Sequence, residues 1–144
     1  MNKAVALLLA ALLLASNTMV AGAVDSIRVV ADSNANSNSA TPLDIVFVYD
    51  AAAAARLPKS GPAWFAQRGA LARSLDGAIE IVTLQIPPGY QTSVSLPAKH
   101  AKAIRVLSFA NFLNPRGQAA GELTRYKSLT IRLTASDVLY AGNK

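Results

Sequence analysis

The 144-residue chain contains no cysteine and only one histidine, His100. Without thiols there is neither a disulfide framework nor a thiolate metal site, so a folded domain must be held together by packing alone. A single imidazole cannot build a histidine metal cluster, and serine or carboxylate chemistry would have to pass through this one ring. It stands between Lys99 and Lys102 in a proline-led turn and reads as a surface loop residue. Acidic residues number only 8 and form no close motif: Asp76 and Glu80 flank one strand start, and Asp44 and Asp50 bracket another strand. A glycine-rich phosphate loop with its lysine is missing too. The glycines of residues 117–121 lack the preceding strand and following helix that would give them that meaning, so the segment reads as a flexible connection. No enzyme, metal or cofactor is expected.

The net charge of +6 includes Lys3, the only charged residue among the first 23, which leaves +5 on the remainder. Such an excess suits an anionic surface or an acidic partner but defines no site by itself. Arg68, Arg73, Lys99, Lys102, Arg105, Arg116, Arg125, Lys127 and Arg132 are scattered, with no adjacent basic run and no interleaved aromatics, so nucleic-acid binding is not expected.

What the chain does have is an export signal. Lys3 supplies the positive start, and residues 4–15 form an unbroken apolar run, well short of the roughly 20 residues that span a bilayer as a helix. The small residues Ala21, Gly22 and Ala23 offer a peptidase site, with the cut expected between Ala23 and Val24. Val20-Ala21-Gly22 followed by cysteine would be a lipoprotein box. Position 23 is alanine, so acylation there is excluded. Residues 1–23 are thus read as signal and 24–144 as a single domain of ordinary size.

Ser26-Ile27-Arg28-Val29-Val30-Ala31 alternates as a first strand. The following stretch, with Asp32, Ser33, Asn34, Asn36, Ser37, Asn38, Ser39 and Thr41, is polar and competes for backbone hydrogen bonds, and it reads as a long exposed loop that contributes little to folding. It is either a disordered excursion or a surface kept for a partner. Residues 43–49 make the strongest strand, apolar on both faces and so expected to be covered on both. Residues 51–55 and 62–75 are helical, with Trp64, Leu71 and Leu75 at helical spacing and Trp64 read as a core anchor. Strands are expected again over 79–85, 92–96, 104–109, 128–133 and 138–140, ending in seven to eight strands of a mainly β, antiparallel sandwich with a short helical insertion.

This order of elements resembles the TssJ family, the outer-membrane lipoprotein of the bacterial type VI secretion system. The matching stretches are Ile27 to Ala31 leading into the Asn34/Asn36 loop, Thr41 to Tyr49, the Pro88-Gly89 turn and Ala103 to Phe109. The resemblance implies a transthyretin-like β-sandwich, lipid tethering to the outer membrane through a cysteine at position 23, and binding to the periplasmic region of the inner-membrane protein TssM. It also implies that the loop from Asp32 to Thr41 contributes to that contact. Ala23 departs from the family pattern and leaves a chain expected to remain soluble in the periplasm. A competing reading is a periplasmic small-molecule or carbohydrate carrier. The wide spacing of Trp64, Phe65, Tyr90, Phe109, Phe112 and Tyr126 argues against it, since such sites gather aromatics.

Overall fold

The computed structural model describes residues 23–114 and 118–144. The expected signal segment up to residue 22 lies outside them, as do Arg116 and Gly117. Among the described residues, eight strands form two four-stranded sheets. The first has the order β4 (Gln91–Ser93), β1 (Ser26–Ala31), β7 (Ser128–Leu133), β8 (Val138–Asn143). The second has the order β3 (Ile79–Ile86), β2 (Thr41–Val48), β5 (Arg105–Ala110), β6 (Gly121–Glu122). Every pairing is antiparallel except β1 with β7, which run parallel from Ser26↔Ser128 to Ala31↔Leu133. That pair is the one departure from the expected all-antiparallel sandwich. Antiparallel neighbours can be joined by tight turns, whereas β1 and β7 are separated by most of the chain and are free to pair in either sense.

Alternation along each strand builds the core. Ile27, Val29 and Ala31 of β1, Leu129, Ile131 and Leu133 of β7, and Leu43, Ile45 and Phe47 of β2 all point between the sheets and are buried. Burying each large side chain of this kind contributes about 1.5–3 kcal/mol, which is how a thiol-free domain is held. The outer face of the first sheet carries Arg28, Thr130 and Arg132, and among the described residues no helix lies over it, whereas the second sheet is covered by α2 (Ala51–Arg56) and α3 (Gly61–Ser74). Strand β2 is therefore buried on both faces, as its composition suggests.

The helices begin where capping chemistry places them. The Asp50 carboxylate accepts from Ala52 and Ala53 N–H, and the Ser60 hydroxyl accepts from Ala63 N–H just before Pro62. Gly61 lies so close to β5 that a Cβ there would stand 1.9 Å from the Ala110 carbonyl oxygen, so the helix can seat itself only on glycine. Trp64 is wholly buried, stacked on Phe109 with ring centroids 4.8 Å apart, and is the core anchor its spacing indicated. One turn on, Arg68 reaches under the helix to Asp44.

Candidate partner-binding site

Residues 32–40 form the connection from β1 in one sheet to β2 in the other, and the structure corrects the expectation of a free polar loop. Asp32 extends the β1–β7 ladder: its N–H donates to the Leu133 carbonyl at 2.9 Å, and its carboxylate takes the Arg132 guanidinium at 2.8 Å. Its own carbonyl accepts from Gly89 N–H and Ala35 N–H. Ala35 is fully buried and Asn36 almost so, both at the mouth of the sandwich.

A single helical turn, α1 (Ala35–Asn38), follows, and it has the wrong hand. Asn36, Ser37 and Asn38 carry φ of 46°, 51° and 65° in succession. A left-handed turn costs an L-residue roughly 1–2 kcal/mol each, least for asparagine, so the surroundings must over-determine it. They do so with backbone and side chain together. Asn36 N–H donates to Thr134 O at 2.9 Å and Ser37 N–H to Ala135 O at 3.1 Å, both in the β7–β8 turn. The Asn36 amide donates to Ala40 O at 3.1 Å and accepts from Leu113 N–H at 2.7 Å. An asparagine run is what this backbone requires, because the short amide tolerates the left-handed region and hydrogen-bonds locally.

The eight residues singled out from the sequence are thus divided by the fold. Ser33, Asn34, Ser37 and Asn38 face solvent, while Asp32 and Ser39 are half-buried. Asn36 is the internal strut of the turn. Thr41 is no loop residue: it is buried, belongs to β2 and pairs with Ile86. Beside the exposed four stand two large apolar side chains that sequence reasoning did not associate with them. Leu113 is 66% exposed and follows β5, and Tyr90 is 50% exposed in the turn into β4. Leu113 is tied to the loop through Asn36, and Tyr90 to the last residue of β1 through the bond from Ala31 N–H to its carbonyl. Exposed apolar groups rimmed by rigid polar ones are the composition of a protein contact.

Other sequence candidates lie elsewhere. His100 sits at the opposite end of the sandwich, in a single 3₁₀ turn, with Nδ1 against the Pro97 carbonyl at 2.9 Å. The segment read as a flexible connection is fixed from Gln118 onward: Gly61 N–H donates to Gln118 O, Ala120 N–H donates to Lys59 O, and Gly121 pairs with Ser108 in β6. A cleft of about 370 Å³ lies there, between α2 and the β5–β6 edge, lined by Leu57, Lys59, Arg105, Leu107 and Glu122. Deeper in, the Ser108 and Tyr140 hydroxyls bond across the two sheets at 2.6 Å, over Gly121, where any side chain would collide with both. Burial raises the Tyr140 hydroxyl above the ordinary tyrosine range against the opposing effect of the Ser108 bond.

Against solved structures, the chain aligns with the type VI secretion lipoprotein TssJ1 from Pseudomonas aeruginosa over 83% of its own length and 95% of that chain, with a TM-score of 0.59 at 15% identity. The two chains share the same sandwich fold. Lip of Serratia marcescens, a membrane-bound component of the type VI secretion system, gives a TM-score of 0.54 at 12% identity over 83% and 96% of the two chains. A chain of a type VI membrane complex gives 0.53 at 14% identity over 83% and 98%. No family model and no curated protein sequence matches. In this chain the left-handed turn and its apolar neighbours stand at the far end of β1 from Ala23.

Proposed function

We propose that this chain is a non-enzymatic assembly component of a type VI secretion membrane complex, exported to the periplasm. Its preformed end, Ser33, Asn34, Ser37 and Asn38 with Leu113 and Tyr90, docks on the periplasmic region of an inner-membrane component of the TssM kind. The observation that carries the reading is the near end-to-end likeness to three type VI structures, each covered over 95% or more of its own length. The strained turn supports the placement of the contact, since backbone held in the left-handed region by its surroundings is characteristic of recognition sites. A carrier of small molecules or sugars within the sandwich is not favoured. The space between the sheets is filled by Ile27, Val29, Leu43, Ile45, Phe47, Ile131 and Leu133, all at most 2% exposed.

The test is capture from envelope extracts with the tagged chain. Asn34→Arg and Leu113→Glu both change exposed side chains, and the expected result is loss of the captured inner-membrane component with unchanged melting. Normal capture by the folded double variant overturns the docking surface. Failure of the native chain to retain any type VI component overturns the functional reading itself.

A further inference from the structure

We propose that β8 is a self-pairing edge: two copies of this chain join antiparallel along Val138–Asn143 into one continuous sheet. The inference concerns this strand alone and does not rest on the secretion reading. Strand β8 closes one side of the first sheet. Thr134 N–H donates to Asp137 O at 2.9 Å across the β7–β8 turn, so that pair is bonded, and the alternation of an antiparallel ladder carries the pattern along. The main-chain groups of Leu139, Ala141 and Asn143 therefore face β7. Lys127 N–H donating to Asn143 O at 2.8 Å agrees. The N–H and C=O groups of Val138, Tyr140 and Gly142 face the other way, and among the described residues no backbone group meets them.

Sheets normally blunt such an edge by shortness, charge, proline or cover. The other edges follow that rule: β4 has three residues, β6 has two, and β3 carries Glu80, paired with Lys99 at 3.6 Å. Strand β8 has six residues with no charge and no proline, and Leu139 on its outer face is 51% exposed. The occupant is a second copy because the strand is complementary to itself. Outward-facing groups must meet outward-facing groups, so a two-fold places Tyr140 opposite Tyr140 and Val138 opposite Gly142. That register keeps Tyr140 on the core face of both copies and sets each Leu139 beside the other copy's Ala141. It also sets Asp137, just before the strand, opposite the other copy's Asn143 at both ends of the joint. Since the two β1 strands then run in opposite directions, the pairing suits copies without a common anchor, as Ala23 leaves them.

The experiment is sedimentation of the exported chain, recovered from the periplasm, over about 1–100 µM, where mass action reveals a moderate dimer. The expected mass rises toward twice that of one chain. Leu139→Lys, which sets lysines across the joint, is expected to hold it at one chain with unchanged melting. Ala141→Lys should weaken pairing by about threefold or more, and Ala141→Lys with Leu139→Asp, which sets opposite charges directly across the joint, should restore it. Both positions are exposed, so this second pair of variants decides even if Leu139→Lys fails to fold. A single-chain mass throughout, a dimer indifferent to Leu139→Lys, or an opposite-charge pair without rescue each overturns the proposal.

Discussion

Asp44 is the residue on which the helical layer depends. It is fully buried on the helix-facing side of β2, where one carboxylate oxygen accepts from Trp64 Nε1 at 2.8 Å and from Arg68 Nε at 2.5 Å, and Arg68 continues to the Thr83 hydroxyl. The other oxygen, Oδ1, has no hydrogen-bond partner among the described residues. A carboxylate in this setting is costly to bury, and the partners offset the cost only together. Removing Arg68 leaves a buried charge with one neutral donor, whereas Asp44→Asn removes the charge and keeps an acceptor for the indole. Arg68→Ala is accordingly expected to cost about 3 kcal/mol, toward the lower end for a broken buried pair because Arg68 is 36% exposed. Asp44→Asn should cost about 1–2 kcal/mol. Urea unfolding of both variants measures the order, and an equal or reversed order would show that charge burial is not the governing effect. Trp64 was legible as an anchor from its spacing with Leu71 and Leu75. Its partner was not, because nothing in a sequence shows that a helix will cross β2 at Asp44.

At the scale of elements, the β1–β2 connection shows how a polar run can be structural. Its Asn and Ser residues read as loop because they compete with regular backbone hydrogen bonding, and the same property lets them hold a left-handed turn. Excising residues 34–39 therefore removes ties to the β7–β8 turn and to Leu113, and does not merely trim a free loop. Asn36→Ala deletes two side-chain hydrogen bonds and puts a Cβ-bearing residue without a local amide at φ 46°. The expected loss is about 2–4 kcal/mol, and Asn36→Gly, which keeps the backbone freedom, should lose less. Thermal melts compare them; glycine no better than alanine would mean the bonds alone matter. Strands with clean alternation, such as Ser26–Ala31 and Ser128–Leu133, were readable because burial on one face writes itself at period two. Two-residue β6 has too few residues to show any period, and the parallel sense of β1 and β7 depends on contacts such as Ser26 with Ser128, 102 positions apart.

For the whole molecule, the arrangement has a direction. Ala23 leads into β1 at one end, beside Lys127, whose carbonyl accepts from Asp25 N–H, and the left-handed turn stands at the other end, about 20 Å away along six strand residues. A tether at residue 23 would thus hold the proposed docking end away from a membrane with almost no slack, since only Val24 and Asp25 precede the strand and Val24 is itself buried. Val20-Ala21-Gly22 is what remains of a lipoprotein box on this reading, and only the thiol is missing. Ala23→Cys is therefore expected to restore acylation and to move the protein from the soluble periplasmic fraction to the membrane fraction, because paired acyl chains anchor where a bare N-terminus cannot. Labelling with a fatty acid and flotation of both versions measures it. A cysteine variant that takes up no label, in a host that processes other lipoproteins, would remove the lipoprotein-box reading while leaving the sandwich and its proposed docking end as they are.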